Sequence, residues 1–92
     1  MNKEDLDKLI YTNEKLMIVF LTEWCVSSKK IIDFNKSMNY KNVIYINTSE
    51  KKEIIDNFNI KIVPTIIYIK NKKITEICEG CNIKKISLFF DS

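Results

Sequence analysis

The sequence predicts an α/β protein, and three observations carry that prediction. Four short runs, 16–21, 43–46, 65–70 and 73–79, have the length and the β-branched content of strands. The segments before, between and after most of them repeat apolar residues at helical spacing. The connection from the first run to the second is long enough to be a crossover, so these two strands should lie parallel. The resulting order is α-β-α-β-α-β-β-α.

Each element follows from its own residues. Leu6, Leu9 and Ile10 recur at i, i+3 and i+4, which predicts an amphipathic helix over 3–13. The buried strand 16–21 comes after a short turn. A second helix should begin near Cys25 and run to about Met38, with Ile31, Phe34 and Met38 inward and lysines outward. Its end is marked by Asn39, Tyr40, Lys41 and Asn42. After strand 43–46, Ser49 with Glu53 is suited to begin a third helix whose Ile54, Ile55 and Phe58 face the core, and Asn59 should stop it. Strands 65–70 and 73–79, joined at Asn71-Lys72, form an antiparallel hairpin. Asn82 is placed to cap a last helix that buries Ile83, Ile86 and Phe90.

Composition narrows the class. Ninety-two residues suit one domain, 1–92, and 46% hydrophobic with 29% charged residues is the balance of a soluble globular chain. No apolar run reaches the roughly 18 residues that cross a bilayer, and the charged start Met1-Asn2-Lys3-Glu4-Asp5 is unlike a signal segment. The expectation is a cytoplasmic monomer with no membrane partner. The net charge of +3 is carried by 15 lysines without a single arginine. Arginine is the usual bidentate reader of phosphate and guanine, so no nucleic-acid partner is expected. Three cysteines are an odd number, and there is no histidine. A disulfide framework is therefore not expected, and neither is a metal site, since Cys25 stands far from Cys78 and Cys81.

The motif that carries chemistry is Trp24-Cys25-Val26-Ser27-Ser28-Lys29-Lys30, directly after the first strand. A strand that turns at once into a helix puts one thiol at the helix N-terminus, where unpaired N–H groups and the helix dipole favour the thiolate. Only the thiolate attacks disulfides. Ser28, one helical turn on, is placed to donate a hydrogen bond to it. The competing reading of Cys25 is an inert buried thiol filling core space. Later comes Ile62-Val63-Pro64-Thr65, with the only proline of the chain, and then Gly80-Cys81-Asn82.

Together these segments resemble the thioredoxin family, with its Trp-Cys-x-x-Cys-Lys pattern, its proline just before a strand and its Gly-Ala-Asn segment. The resemblance spans essentially the whole chain. It implies a thioredoxin fold lacking the extra N-terminal strand, with a four-stranded mixed sheet and helices on both faces. It also implies that Cys25 is the nucleophile, that Trp24, Val63, Pro64 and Gly80 form the substrate groove, and that the Val63–Pro64 bond is cis. Gly80 would let its loop approach the proline. The family's second cysteine falls on Ser28, whose hydroxyl cannot resolve a mixed disulfide. Its buried aspartate falls on Val19, that aspartate's lysine partner on Tyr45, and its kinking proline on Asp33.

Two functions follow from this pattern. The first is monothiol thiol–disulfide exchange on protein disulfides, with no bound cofactor, using glutathione as co-substrate or Cys81 as resolving thiol. A glutaredoxin-like version is less well matched, because Trp24 and Thr65 follow the thioredoxin pattern. The second is a redox-inactive module that keeps the groove to bind a protein segment. An exposed Cys78 or Cys81 would also be able to link chains on oxidation.

Overall fold

Two strands of this chain are apolar on both faces, and everything else is arranged to cover them. The computed structural model describes residues 3–22, 26–49, 52–80 and 82–91. In it β1 (Lys15–Leu21) and β3 (Thr65–Lys70) are buried along nearly their whole length. Unbroken apolar runs of this kind suit strands with helices packed on either side.

The sheet has four strands in the order β2-β1-β3-β4, with β2 at Val43–Asn47 and β4 at Lys73–Glu79. β1 and β2 run parallel, with Met17 opposite Val43, as the long crossover requires. β3 runs antiparallel to β1 and to β4. The β3–β4 turn places Asn71 and Lys72 at φ 53° and 70°, the pair of positive angles that matches the twist of a two-residue hairpin.

Four helices sandwich this sheet: α1 (Lys3–Thr12), α2 (Val26–Met38), α3 (Lys52–Phe58) and α4 (Ile83–Asp91). On one face Leu6 of α1 and Ile54 of α3 pack with Leu16, Ile18, Phe20 and Ile67. On the other, Ile31 of α2 and Ile86 of α4 pack with Met17, Val19, Ile66 and Tyr68. Fully burying each such side chain stabilises the fold by about 1.5–3 kcal/mol.

The structure corrects three expectations. Met38 is 44% exposed, and the inward stripe of α2 is Ser28, Ile31 and Asn35. Met38 lies at the last turn, where Asn39 at φ 57° already leads the chain off the sheet. Ser49 N–H and Oγ–H both donate to Asn47 Oδ1, at 3.0 and 2.7 Å, closing a local turn, and residues 50 and 51, which would follow a cap at Ser49, lie outside the described ones. The Glu53 side chain lies outside the described ones. Phe90 is only half-buried, stacked at 4.4 Å on Tyr40. Cys78 is half-buried as well, packed against the Val19 side of the core rather than exposed.

Candidate functional site

The end of the sheet where β1 finishes is where the chemistry-bearing segments meet. Phe20 pairs with Thr65, so Pro64 lies level with the end of β1. Thr65 in turn pairs with Glu79, which brings Gly80 to the same end. α2 and α4 both start here. A sheet end at which one strand has a parallel neighbour on one side and an antiparallel one on the other is a natural place for a binding crevice.

Trp24 and Cys25 lie outside the described residues, as does Cys81. The frame directly after Cys25 is described. α2 begins at Val26, has no acidic residue in its first turn, and continues into Lys29 and Lys30. Its first N–H groups have no partner within the helix, and together with the two lysines they make this terminus electropositive.

Ser28 is 2% exposed, and its hydroxyl has no hydrogen-bond partner among the described residues. A buried hydroxyl left in that state is costly, so it is available to any acceptor that approaches the start of α2. Val26, the first residue of the same helix, is 74% exposed and offers an apolar surface there.

The Val63–Pro64 peptide bond is cis. Two bonds hold this corner: Thr65 Oγ1 donates to the Ile62 carbonyl at 2.6 Å, and Gly80 N–H donates to the Pro64 carbonyl at 2.8 Å. Gly80 therefore brings its loop onto the proline, as the resemblance implied. A Cβ built on it meets nothing within 4 Å among the described residues. What glycine supplies is its φ of 97°, a conformation other residues adopt poorly. Beside Val63 a cavity of about 250 Å³ opens between α3 and residues 60–63, lined by Ile55, Ile60, Lys61 and Ile62.

Beneath the start of α2, Val19 is fully buried and pairs across the sheet with Tyr45. The two positions of the family's acid and base thus remain neighbours while holding neither group. Tyr45 has acquired a different partner. Asn35, 2% exposed, donates from Nδ2 to the Tyr45 hydroxyl at 3.0 Å. Burial raises the Tyr45 phenol above its ordinary value, and the bond from Asn35 pulls it partly back. Sequence reasoning missed Asn35. Its spacing of seven from Ser28 was the available signal, since i and i+7 share one helical face.

A polar pair flanks Cys78. Lys85 on α4 forms an ion pair with Glu76 on β4. The Glu76 hydrogen bond holds the Lys85 ammonium above its ordinary value, and nearby Cys78 acts in the same direction. Among the described residues there is no cluster of three or more side chains suited to a metal ion.

Comparison with known proteins agrees with this geometry. The family model described as Thioredoxin matches residues 1–91. Thioredoxin from Plasmodium falciparum is 26% identical with a TM-score of 0.78, the match covering 98% of this chain and 92% of that one. Oxidised mitochondrial thioredoxin 3 of Saccharomyces cerevisiae is 22% identical with a TM-score of 0.82, covering 99% and 91%. A chain solved in work on thiol resolving in yeast mitochondrial 1-Cys peroxiredoxin through the glutathione/thioredoxin systems is 23% identical with a TM-score of 0.81, again covering 99% and 91%. No curated protein matches the chain significantly. The family match supports a thiol–disulfide redox role acting on protein thiols, chemistry for which the family needs no cofactor.

Proposed function

Because this chain belongs to the thioredoxin family, we propose that it performs thiol–disulfide exchange with one active-site thiol. The Cys25 thiolate attacks one sulfur of a substrate disulfide, forming a mixed disulfide and releasing the other sulfur as a thiolate. A second thiol then attacks the Cys25 sulfur of that mixed disulfide, releasing the substrate as a thiolate and leaving Cys25 in a disulfide with the second thiol. A further thiol such as glutathione frees it by another exchange. Ser28 stands where the internal resolving cysteine would be, and this observation carries the reading. Its oxygen forms no disulfide. Its unpartnered buried hydroxyl is suited to hydrogen-bond the Cys25 thiolate instead.

The resolving thiol in this reading is glutathione, with Cys81 as the internal candidate. One structural neighbour comes from work on thiol resolving through glutathione and thioredoxin, which makes glutathione the first co-substrate to test. The substrate segment would cross Val63, Pro64 and Gly80 beside Trp24. The setting proposed is the reducing cytoplasm, with the protein acting as a monomer.

A second reading is favoured by one observation. Val19 and Tyr45 hold neither the acid nor the lysine that serves proton transfer in the family. A redox-inactive module that only binds protein segments has no use for either group. The two readings separate on incubation with glutathione disulfide, followed by mass-spectrometric mapping of Cys25, Cys78 and Cys81. A glutathione adduct on Cys25, or a Cys25–Cys81 disulfide, is the result expected of the exchanger. An unmodified Cys25 would establish the binding module.

A further inference from the structure

The two edges of the sheet are treated differently. β4 carries Lys73, Glu76 and Glu79 and has a register break opposite Tyr68 and Ile69. Charges and bulges are the usual devices that stop an edge strand from pairing with another chain. β2, Val43-Ile44-Tyr45-Ile46-Asn47, has no charge, no proline and no register break. Among the described residues nothing pairs with its outer side.

The groups on that outer side can be named. Met17 N–H donates to the Asn42 carbonyl at 3.0 Å, and Thr48 N–H to the Leu21 carbonyl at 2.9 Å, at the two ends of the β1–β2 ladder. Alternate residues of a parallel strand turn both backbone groups to the same neighbour. The N–H and C=O groups of Val43, Tyr45 and Asn47 therefore point away from β1. Next to this edge lies an open cleft of about 450 Å³ with Leu9, Leu16 and Ile44 in its lining and Asn42 and Lys41 also part of it. No carboxylate is among its described lining residues. Lys41 is exposed and has no carboxylate partner among the described residues. At the same end of the sheet, but on the face opposite this cleft, Lys15, Lys70 and Lys73 stand side by side across three strands.

We propose that the β2 edge docks an extended segment of a partner protein, added as a further strand, with an apolar side chain in the cleft and an acidic residue beside Lys41. Backbone bonding to Val43, Tyr45 and Asn47 supplies affinity, and the cleft and the lysine supply selectivity. The charge favours a foreign segment over a second copy of this chain. Two β2 strands paired antiparallel about Tyr45 would set Lys41 directly opposite the uncharged Ser49.

The test titrates the isotope-labelled full chain with a capped eight-residue peptide that alternates valine and threonine and ends in two aspartates. The peptide has no cysteine, so its binding does not depend on the chemistry of Cys25. The expected result is saturable amide shifts at Val43, Tyr45 and Asn47, with slowed hydrogen exchange there. Of two peptides N-methylated at alternate positions, one should lose binding. Lys41→Glu should weaken binding about fivefold and flatten its salt dependence. The proposal is overturned if shifts fall elsewhere, or if both methylated peptides bind as well as the parent. Undiminished binding to K41E, or equal binding of a peptide ending in two lysines, overturns it too. So does protection of the edge amides that grows with protein concentration without peptide, since that assigns the edge to a second copy. Binding to anionic vesicles with no response to the peptide would assign the lysines to a lipid surface and likewise overturn it.

Discussion

At the scale of single residues, the most informative is one whose neighbours decide its meaning. Asn35 is buried on the sheet side of α2, with Nδ2 bonded to the Tyr45 hydroxyl and Oδ1 without a partner among the described residues. A half-satisfied buried amide is worse for stability than an apolar group of the same shape. Asn35→Leu should therefore leave stability unchanged or raise it by about 1 kcal/mol in urea denaturation. Tyr45→Phe should lower it by about 1–2 kcal/mol, because it strips the amide of its remaining partner. In the Asn35→Leu background the same Tyr45→Phe change should cost little, and a double-mutant cycle measures the difference. The pair also sets a pH dependence. Burial lifts the Tyr45 phenol above its ordinary 10.0, so the folded chain holds that proton longer than the unfolded one. Its contribution is complete below pH 10.0 and is lost as pH rises through the folded value. The fall in the denaturation midpoint above that pH should be smaller in Tyr45→Phe than in the parent chain, and modest in both because Tyr45 is 39% exposed. Pro64 and Gly80 were legible as junction residues because each is a distinctive residue type at a marked turn of the chain. Asn35 was not legible, since its burial depends on how α2 is rolled on the sheet, and the 31-34-38 stripe was an equally regular alternative to 28-31-35.

At the scale of elements, legibility depended on whether one segment's own pattern was sufficient. β1 and β3 were readable because strands covered on both faces leave unbroken apolar runs, and α1 because its Leu6 stripe is simple. Asn59 ends α3 as expected, at φ 56°. Before α3, Ser49 and Asn47 bond to each other locally, a competition that residue type alone does not decide. The link from β4 to α4 shows the same limit. Gly80 was legible as a junction, but the reason for it was not, because a positive φ and a close approach both select glycine. The geometry separates the two and yields a prediction. With nothing among the described residues within 4 Å of its missing Cβ, Gly80→Ala meets no clash there and suffers the backbone penalty of φ 97°. The expected loss is about 1–2 kcal/mol in thermal or urea unfolding. A larger loss, or a Gly80→Val variant much worse than Gly80→Ala, would show instead that the side chain collides with the proline corner.

At the scale of the whole molecule, the chain separates its functions along the strands. The end where β1 finishes gathers the start of α2, the Pro64 corner and Gly80, and the opposite end gathers lysines. Lys15 faces Lys70, and Lys70 faces Lys73, so three ammonium-bearing side chains occupy adjacent positions on one face of the sheet. Like charges directly opposite one another in a sheet destabilise it. Lys15 offsets part of this by lying over the Phe89 ring, 6.0 Å from its centre. The arrangement was invisible as a cluster in the sequence, where the three lysines are scattered among fifteen, and it appears only once register is known. Lys70 is exposed and sits between the other two, so Lys70→Glu would replace two repulsive contacts with two attractive ones. That substitution should raise stability by about 0.5–1 kcal/mol at low salt. Because exposed charges are screened within about 10 Å at 0.1 M salt and about 3 Å at 1 M, the gain should shrink as sodium chloride is added. Urea denaturation of both chains at low and high salt reads this directly. A gain that persists unchanged at 1 M salt would mean that residue 70 acts through packing, whereas a gain that vanishes would establish that this end of the sheet carries a local positive field, held at a cost in stability.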